Sequence, residues 1–226
     1  MAVANAHNYL VSFQTVGVVV QEADSGFYGL GRYALRLGVA AMRQFDINKV
    51  ARPYMTDLGT VTGYSVFLGV WGNHGPTVIY RVEGAQNVPI VELRIGGVLP
   101  LLSSALGRNF LSHLPEQATD AMAKEELAAL KRTGYRSDLP DVPRTMEDVQ
   151  KLRVETREQG FSRCKSFLPG FTTLSTPIFD QFGTMIAALT ILGSANTLDD
   201  SSSSDTVQLL KKCSAASSSA AGWQLD

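Results

Sequence analysis

Residues 64–82 constrain the fold of this chain more than any other stretch. Tyr64–Trp71 and Thr77–Val82 alternate apolar and polar side chains, the two-residue period of a half-buried strand. Between them lies Gly72-Asn73-His74-Gly75-Pro76, a run of turn formers. Strand, tight turn and strand make an antiparallel hairpin. Further strand candidates are Val88–Ile95, Phe161–Ser166, Phe171–Phe179 and Met185–Leu192, with Asp180–Gly183 turning the chain between the last two. About six antiparallel strands are therefore expected, with helices inserted in the middle of the sheet.

Those helices carry their own punctuation. Ile47–Leu58 reads as a helix ahead of the hairpin. Ser103 or Ser104 caps a helix running to about His113, and Pro115-Glu116 opens a charged helix reaching Gly134. The mixed charges of Glu116–Lys131 mark a solvated face. Thr145 with Asp148 three residues later is a capping signal, and Gly160 stops the helix behind it. A last helix runs from about Asp205 into the Ser/Ala tract at 214–221, low-complexity sequence whose end is expected to fray. A six-stranded sheet covered by helices is the plan of GAF- and PAS-like domains, which hold a small molecule between sheet and inserted segments.

The first 46 residues read differently. Tyr9, Leu10, Phe13 and Val16 recur at helical spacing and Gly17 ends the run. Val18–Val20, a turn at Gln21–Gly26, and Phe27-Tyr28 make a small hairpin. A helix followed at once by a hairpin is the rear half of a winged helix. A long helix follows, about Leu30–Gln44, with Leu30, Ala34, Leu37, Ala41 and Gln44 in one stripe. Small residues at Gly38, Ala40 and Ala41 suit close helix–helix approach, and so self-association, although an ordinary core-facing helix fits the stripe equally.

Composition excludes several classes. The chain has 226 residues, 20 Lys and Arg against 21 Asp and Glu, and a net charge of −1, so it is neither a polybasic nucleic-acid binder nor an acidic tail. Cys164 and Cys213 are too few and too far apart for a disulfide scaffold, and no Cys/His cluster has zinc spacing. The N-terminus has no signal-peptide pattern. The most apolar runs are strand-sized, well short of the ~20 residues of a membrane span. A cytoplasmic protein without membrane contact, metal or cofactor is expected. Nothing pairs Cys164 with His113 for catalysis, and no phosphate loop is present, so no enzyme is expected.

Eight segments in fixed order resemble the IclR-type bacterial transcription regulators. They begin with Gly26–Gly31 followed by Arg32–Gly38, then Arg81–Gly84, Leu99–Gly107 and Pro143-Arg144-Thr145. Gly160-Phe-Ser162, Leu168-Pro-Gly170, Thr176–Asp180 and Ala187–Gly193 complete the order. Ala6-His7 and Tyr9–Phe13 resemble the recognition helix of one subgroup. The resemblance implies an α+β chain in three parts: residues 1–31 as a partial winged helix-turn-helix, 32–46 as a linker and dimerisation helix, and 47–226 as a GAF-like effector-binding domain. It implies a homodimer or homotetramer that binds operator DNA and a small-molecule effector, here a carboxylic acid. Asn5, His7, Asn8 and Tyr9 are then the groove-facing candidates, Asn being able to read adenine.

Carried over residue by residue, the effector site takes Leu99 and Leu101 before a helix and Ala105 and Leu106 at its N-terminus, where backbone N–H groups suit a carboxylate. Cys164 on one strand, Thr173 and Ser175 on the next, and Thr190 and Leu192 on the last complete it. Residues two apart on a strand share a face. Leu106 and Leu192 make the site more apolar than one for a short keto acid, which favours a carboxylate with an apolar or aromatic body.

Two departures from the family bear on DNA. The sequence starts at the recognition helix, without the two helices that precede it in the family. Residues 1–31 also contain no Lys or Arg, only Glu22 and Asp24, so the phosphate-neutralising charge is missing there. A misassigned start, a truncated remnant, or a stand-alone sensor and oligomerisation module that has lost DNA binding would each produce this pattern.

Overall fold

The computed structural model describes residues 3–85, 94–134, 141–165 and 167–224, with the side chains of Val3–Asn5 left out. They form two compact units, residues 1–46 and 47–226.

In the first unit, helix α1 (Val3–Thr15) precedes a hairpin of β1 (Val19–Gln21) and β2 (Tyr28–Leu30), in which Val19 pairs with Leu30 and Gln21 with Tyr28. Helix α2 (Arg32–Gln44) starts two residues later than the apolar stripe suggests, because Leu30 is spent on the hairpin. None of the α2 side chains is buried within the unit, so the core-facing reading of its stripe does not hold there.

The second unit is built on one antiparallel sheet. Its strands, β3 (Ser65–Gly72), β4 (Gly75–Val82), β5 (Ser162–Cys164), β6 (Phe171–Phe179) and β7 (Met185–Ser194), lie in the order β4-β3-β7-β6-β5. The hairpin at Asn73-His74 forms where the turn residues place it. The sheet has five strands among the described residues rather than six, since most of the Val88–Ile95 candidate lies outside them. Strand β5 is shorter than Phe161–Ser166: Phe161 leaves the strand to enter the core, and Ser166 is not described.

Both faces of the sheet are covered. Helices α3 (Ile47–Thr62) and α7 (Asp205–Ala220) pack on one face, where Met55, Leu58, Val207 and Leu210 meet Leu68, Leu174, Leu189 and Ile191. The α3 helix continues past Leu58 to Thr62, with Gly59 buried beside Val66 and Val82 of the hairpin. The Ser/Ala end of α7 is docked rather than frayed. Ser214, Ser217 and Ser218 are buried, Ser214 donates to the Pro177 carbonyl, and Ser218 accepts from the Phe179 N–H.

Helix α4 (Ala105–His113) covers the opposite face, burying Leu106 and Phe110 against Phe67, Val78, Ala188 and Leu192. Each such side chain contributes about 1.5–3 kcal/mol relative to exposure. Outside α4 lie α5 (Glu116–Thr133) and α6 (Met146–Gln159). The α6 N-terminus is a full capping box: Thr145 Oγ accepts from Asp148 N–H, and the Asp148 carboxylate accepts from Thr145 N–H. Arg153 of α6, almost fully buried, ties the layer together by donating to the Leu111 carbonyl, Thr119 and Asp120.

Candidate functional site

The α4 face of the sheet carries an unusual share of polar side chains. Strand register explains why. Ser162, Ser175, Thr190 and Phe67 are mutual partners across β5, β6, β7 and β3, so they form one rung. Cys164, Thr173, Leu192 and Ser65 form the rung beside it. All eight are buried. Thr190 donates to Ser175 at 3.0 Å, and Thr173 donates to the Cys164 carbonyl at 3.0 Å. The Cys164 thiol donates to the Ser103 carbonyl at 3.1 Å, which binds the strand to the segment ahead of α4.

That segment is tightly organised. Ser104 caps α4, its hydroxyl accepting from Gly107 N–H at 2.9 Å and donating to the Pro100 carbonyl at 2.6 Å. Gly107 is the residue this approach requires, because a Cβ there would stand 2.2 Å from the Pro100 oxygen and 2.5 Å from that of Leu101. The sheet yields in turn at Gly69, where a Cβ would meet the Leu106 methyls at 2.4 and 2.5 Å.

One carboxylate already occupies the backbone donors preceding the helix. Glu126 of α5 accepts from the N–H of Leu101 at 2.7 Å, of Leu102 at 3.1 Å and of Ser103 at 3.3 Å, and from the Ser103 hydroxyl at 3.2 Å. Burial raises its pKa above the ordinary value and outweighs these hydrogen bonds, which lower it. An acid arriving from outside would therefore find Leu101–Ser103 taken. The N–H groups of Ala105 and Leu106, which precede any intrahelical acceptor, are the first two donors of α4 itself.

Sequence-expected site residues divide accordingly. Leu99, Leu106 and Leu192 meet in one apolar cluster on this face, and Ala105, Cys164, Thr173, Ser175 and Thr190 surround it with polar groups. Leu101 does not join them. Its side chain packs with Leu102, Leu111, Ala123 and Val149 toward α5 and α6, because its backbone is turned to face Glu126. In the first unit, His7, Asn8 and Tyr9 are exposed on α1, and Asn5 lies within α1 with its side chain outside the described residues. Asn8 lies about 100° around the helix from both His7 and Tyr9, and His7 and Tyr9 lie about 160° apart.

Three further polar residues, not among those expected from the sequence, lie against this cluster. Asn109, one turn into α4, donates its Nδ2 to Ser162 at 3.0 Å, and Ser162 donates to the Ala105 carbonyl at 2.6 Å. Arg108, also buried, donates to the carbonyls of Leu102 and Arg163 and pairs with Asp141 at 3.4 Å. A cleft of about 800 Å³ opens beyond β5, and Arg108, Phe161, Ser162 and Arg163 are among its lining residues. The available signal was the polar pair Arg108-Asn109 between Leu106 and Phe110, on a helix otherwise patterned for a core. At the far end of α4, His113 Nδ1 donates to the Asn109 carbonyl and the ring stands edge-on to Phe179, burial lowering its pKa.

Comparison with known proteins agrees with this architecture. Residues 39–219 match the family described as bacterial transcriptional regulator IclR C-terminal. The chain belongs to the IclR family. It is 25% identical over 218 residues to the HTH-type transcriptional regulator XynR of Escherichia coli, covering 96% of this chain and 83% of that protein. It is 29% identical over 199 residues to the glycerol operon regulatory protein of Streptomyces coelicolor, covering 88% and 74%. Among solved structures, Pseudomonas aeruginosa HmgR superposes with a TM-score of 0.86 at 31% identity, over 100% of this chain and 87% of that one. XynR is named as a transcriptional regulator and the Streptomyces protein as an operon regulatory protein, and no helix among the described residues is long and apolar enough to cross a membrane.

Proposed function

We propose that this chain is a ligand-responsive transcription regulator, not an enzyme, whose residues 47–226 bind a small organic acid between α4 and the sheet. The observation that carries the reading is the buried rung Ser162–Ser175–Thr190 beneath the N-terminal turn of α4, in a chain of the IclR family. Hydroxyls are costly to bury unless they are used, and here they face a helix end whose free N–H groups suit an anion. The acid's carboxylate lies toward Ala105 and Leu106, and Leu99, Leu106 and Leu192 take its apolar body. Thr173, Ser175 and Thr190 supply polar contacts beside Cys164.

Residues 1–31 act as recognition helix and wing, with Asn5, Asn8 and Tyr9 toward the groove, and residues 32–46 link the two parts. Leu35, Leu37, Val39 and Met42 of α2 are exposed within their unit, which supports pairing with a second copy. The protein works in the cytoplasm as a homodimer or homotetramer. Coupling requires the acid to favour one arrangement over another, and a tenfold change in operator affinity needs a difference of about 1.4 kcal/mol.

A mobility-shift titration on the DNA upstream of the protein's own gene, at low and moderate salt with and without organic acids, tests the coupling. The expected result is salt-sensitive binding that an acid changes at least about tenfold. The absence of any Lys or Arg in residues 1–31 supports a second reading, a sensor and oligomerisation module that does not bind DNA alone. Acid-dependent thermal stabilisation with no DNA shift selects that reading.

A further inference from the structure

Asn109 is completely buried, and its Oδ1 has no hydrogen-bond partner. Exchanging the amide oxygen and nitrogen does not relieve this. The Ser162 hydroxyl proton is committed to the Ala105 carbonyl at 2.6 Å, so Ser162 can only accept from Asn109, at 3.0 Å. The atom left over is therefore an acceptor. One rung position away, Ser175 and Thr190 share a single hydrogen bond at 3.0 Å between two hydroxyls, which leaves one of their two protons uncommitted among the described residues. Ser162 and Ser175 are direct cross-strand partners, with Cβ atoms about 4.5–5.5 Å apart. The unused acceptor and the unused donor thus belong to the two neighbours of Ser162, one on α4 and one across the sheet, and a single small group seated between them would serve both.

That group must donate to Asn109 and accept from the Ser175–Thr190 pair. A carboxylate oxygen cannot donate, and an ammonium cannot accept. An ammonium is further disfavoured by the buried guanidinium of Arg108, the neighbouring residue. A hydroxyl does both. We propose that the effector of this chain carries a hydroxyl in addition to its carboxylate, and that Asn109 reads that hydroxyl. The inference rests on the acid-binding reading above and adds the second functional group. A site built to bond a hydroxyl discriminates against the analogue lacking it far more strongly than an apolar pocket does, because the deoxy ligand leaves the buried partners unpaired.

The test uses the full chain and acid pairs that differ by one hydroxyl: lactate and propionate, mandelate and phenylacetate, 3-hydroxybenzoate and benzoate. Thermal shift identifies the pairs that bind, and calorimetric titration measures both members. The expected result is at least about tenfold tighter binding of the hydroxylated member. In Asn109→Leu the ratio falls to near one, and Ser175→Ala, which leaves the Asn109–Ser162 bond in place, lowers it as well. Equal affinities in the unaltered protein, or a preference that survives in both variants, overturn the inference and leave the acid-binding reading standing. Equal affinities together with a higher melting temperature in Asn109→Leu identify a buried water as the occupant and also overturn it. If no acid of the panel binds, the acid-binding reading fails and takes this inference with it.

Discussion

Replacing Glu126 with alanine removes the acceptor for three consecutive backbone N–H groups and the Ser103 hydroxyl. Leu101, Leu102 and Ser103 are all buried. Hydrogen bonds to a charged group are worth about 1.5–3 kcal/mol each, and a stranded buried donor costs about 1–3 kcal/mol. Three of them do not add in full, because Glu126 is only half-buried and water can enter where its carboxylate stood. A net loss of about 3 kcal/mol follows, which at ~2–4 °C per kcal/mol for a chain of this size lowers Tm by about 6–12 °C. The damage is local as well as global. Amide exchange at Leu101–Ser103 speeds up, while that of β6 and β7 changes only as global stability requires.

Glu126→Gln keeps one acceptor oxygen but turns an NH₂ toward the same donors, so it falls between the two. The pH dependence has a definite sign. Folding raises the Glu126 pKa through burial, so between the ordinary value of 4.5 and the folded value the native state holds the proton more tightly than the unfolded chain. The contribution of this group is most favourable below 4.5 and is lost as pH rises through that window. Wild type therefore gains stability on acidification relative to Glu126→Gln there. A melting temperature for Glu126→Ala within ~2 °C of wild type, with unchanged exchange at Leu101–Ser103, would refute the reasoning.

Three further outcomes are expected. Thr145→Ala breaks the capping box of α6 and costs about 1 kcal/mol in denaturant unfolding, with an unchanged m-value because the site is on the surface. Gly107→Ala drives a Cβ into the Pro100 and Leu101 carbonyls, so α4 must shift; a loss above about 4 kcal/mol, or failure to accumulate as folded protein, is expected in the same assay. His113 has its pKa lowered by burial, so stability falls as pH drops below its ordinary value of 6.5, where the unfolded chain protonates first. Melting scans from pH 8 to 5 should show His113→Asn losing less than wild type.

Much of this architecture was legible because local signals and tertiary packing agree. The Asn73-His74 turn, the Phe171–Phe179 strand and the Thr145–Asp148 cap each state one structure and adopt it. Legibility failed where a side chain's role is set by a distant segment. Glu126 sits in a charged run that reads as a solvated face, and only the return of α5 over the loop at 101–103 gives its carboxylate a purpose. The turn of backbone that exposes Leu101 N–H to Glu126 also carries the Leu101 side chain away from the sheet. Serines at the end of α7 look like low-complexity sequence, yet they bond the backbone at Pro177 and Phe179. Among the candidate residues, alternation on β6 and β7 puts Thr173, Ser175, Thr190 and Leu192 on one face, and the strand register does the same. Asn109 and Ser162 keep the spacing of Leu106 on α4 and of Cys164 on β5, so nothing in the pattern sets them apart, and their significance lies in a hydrogen-bond balance that no sequence displays.

Binding of an organic acid beneath α4 is most directly tested by calorimetric titration of the full chain against its Thr190→Leu variant, using the acid that gives the largest thermal shift. The substitution removes a hydroxyl from the centre of the buried rung and fills its space with an apolar group. The predicted result is a saturable, one-site isotherm for the unaltered protein and at least about a hundredfold weaker binding for a variant that still melts cooperatively, a difference of about 2.7 kcal/mol. An isotherm unchanged by Thr190→Leu would place the acid elsewhere and contradict the assignment.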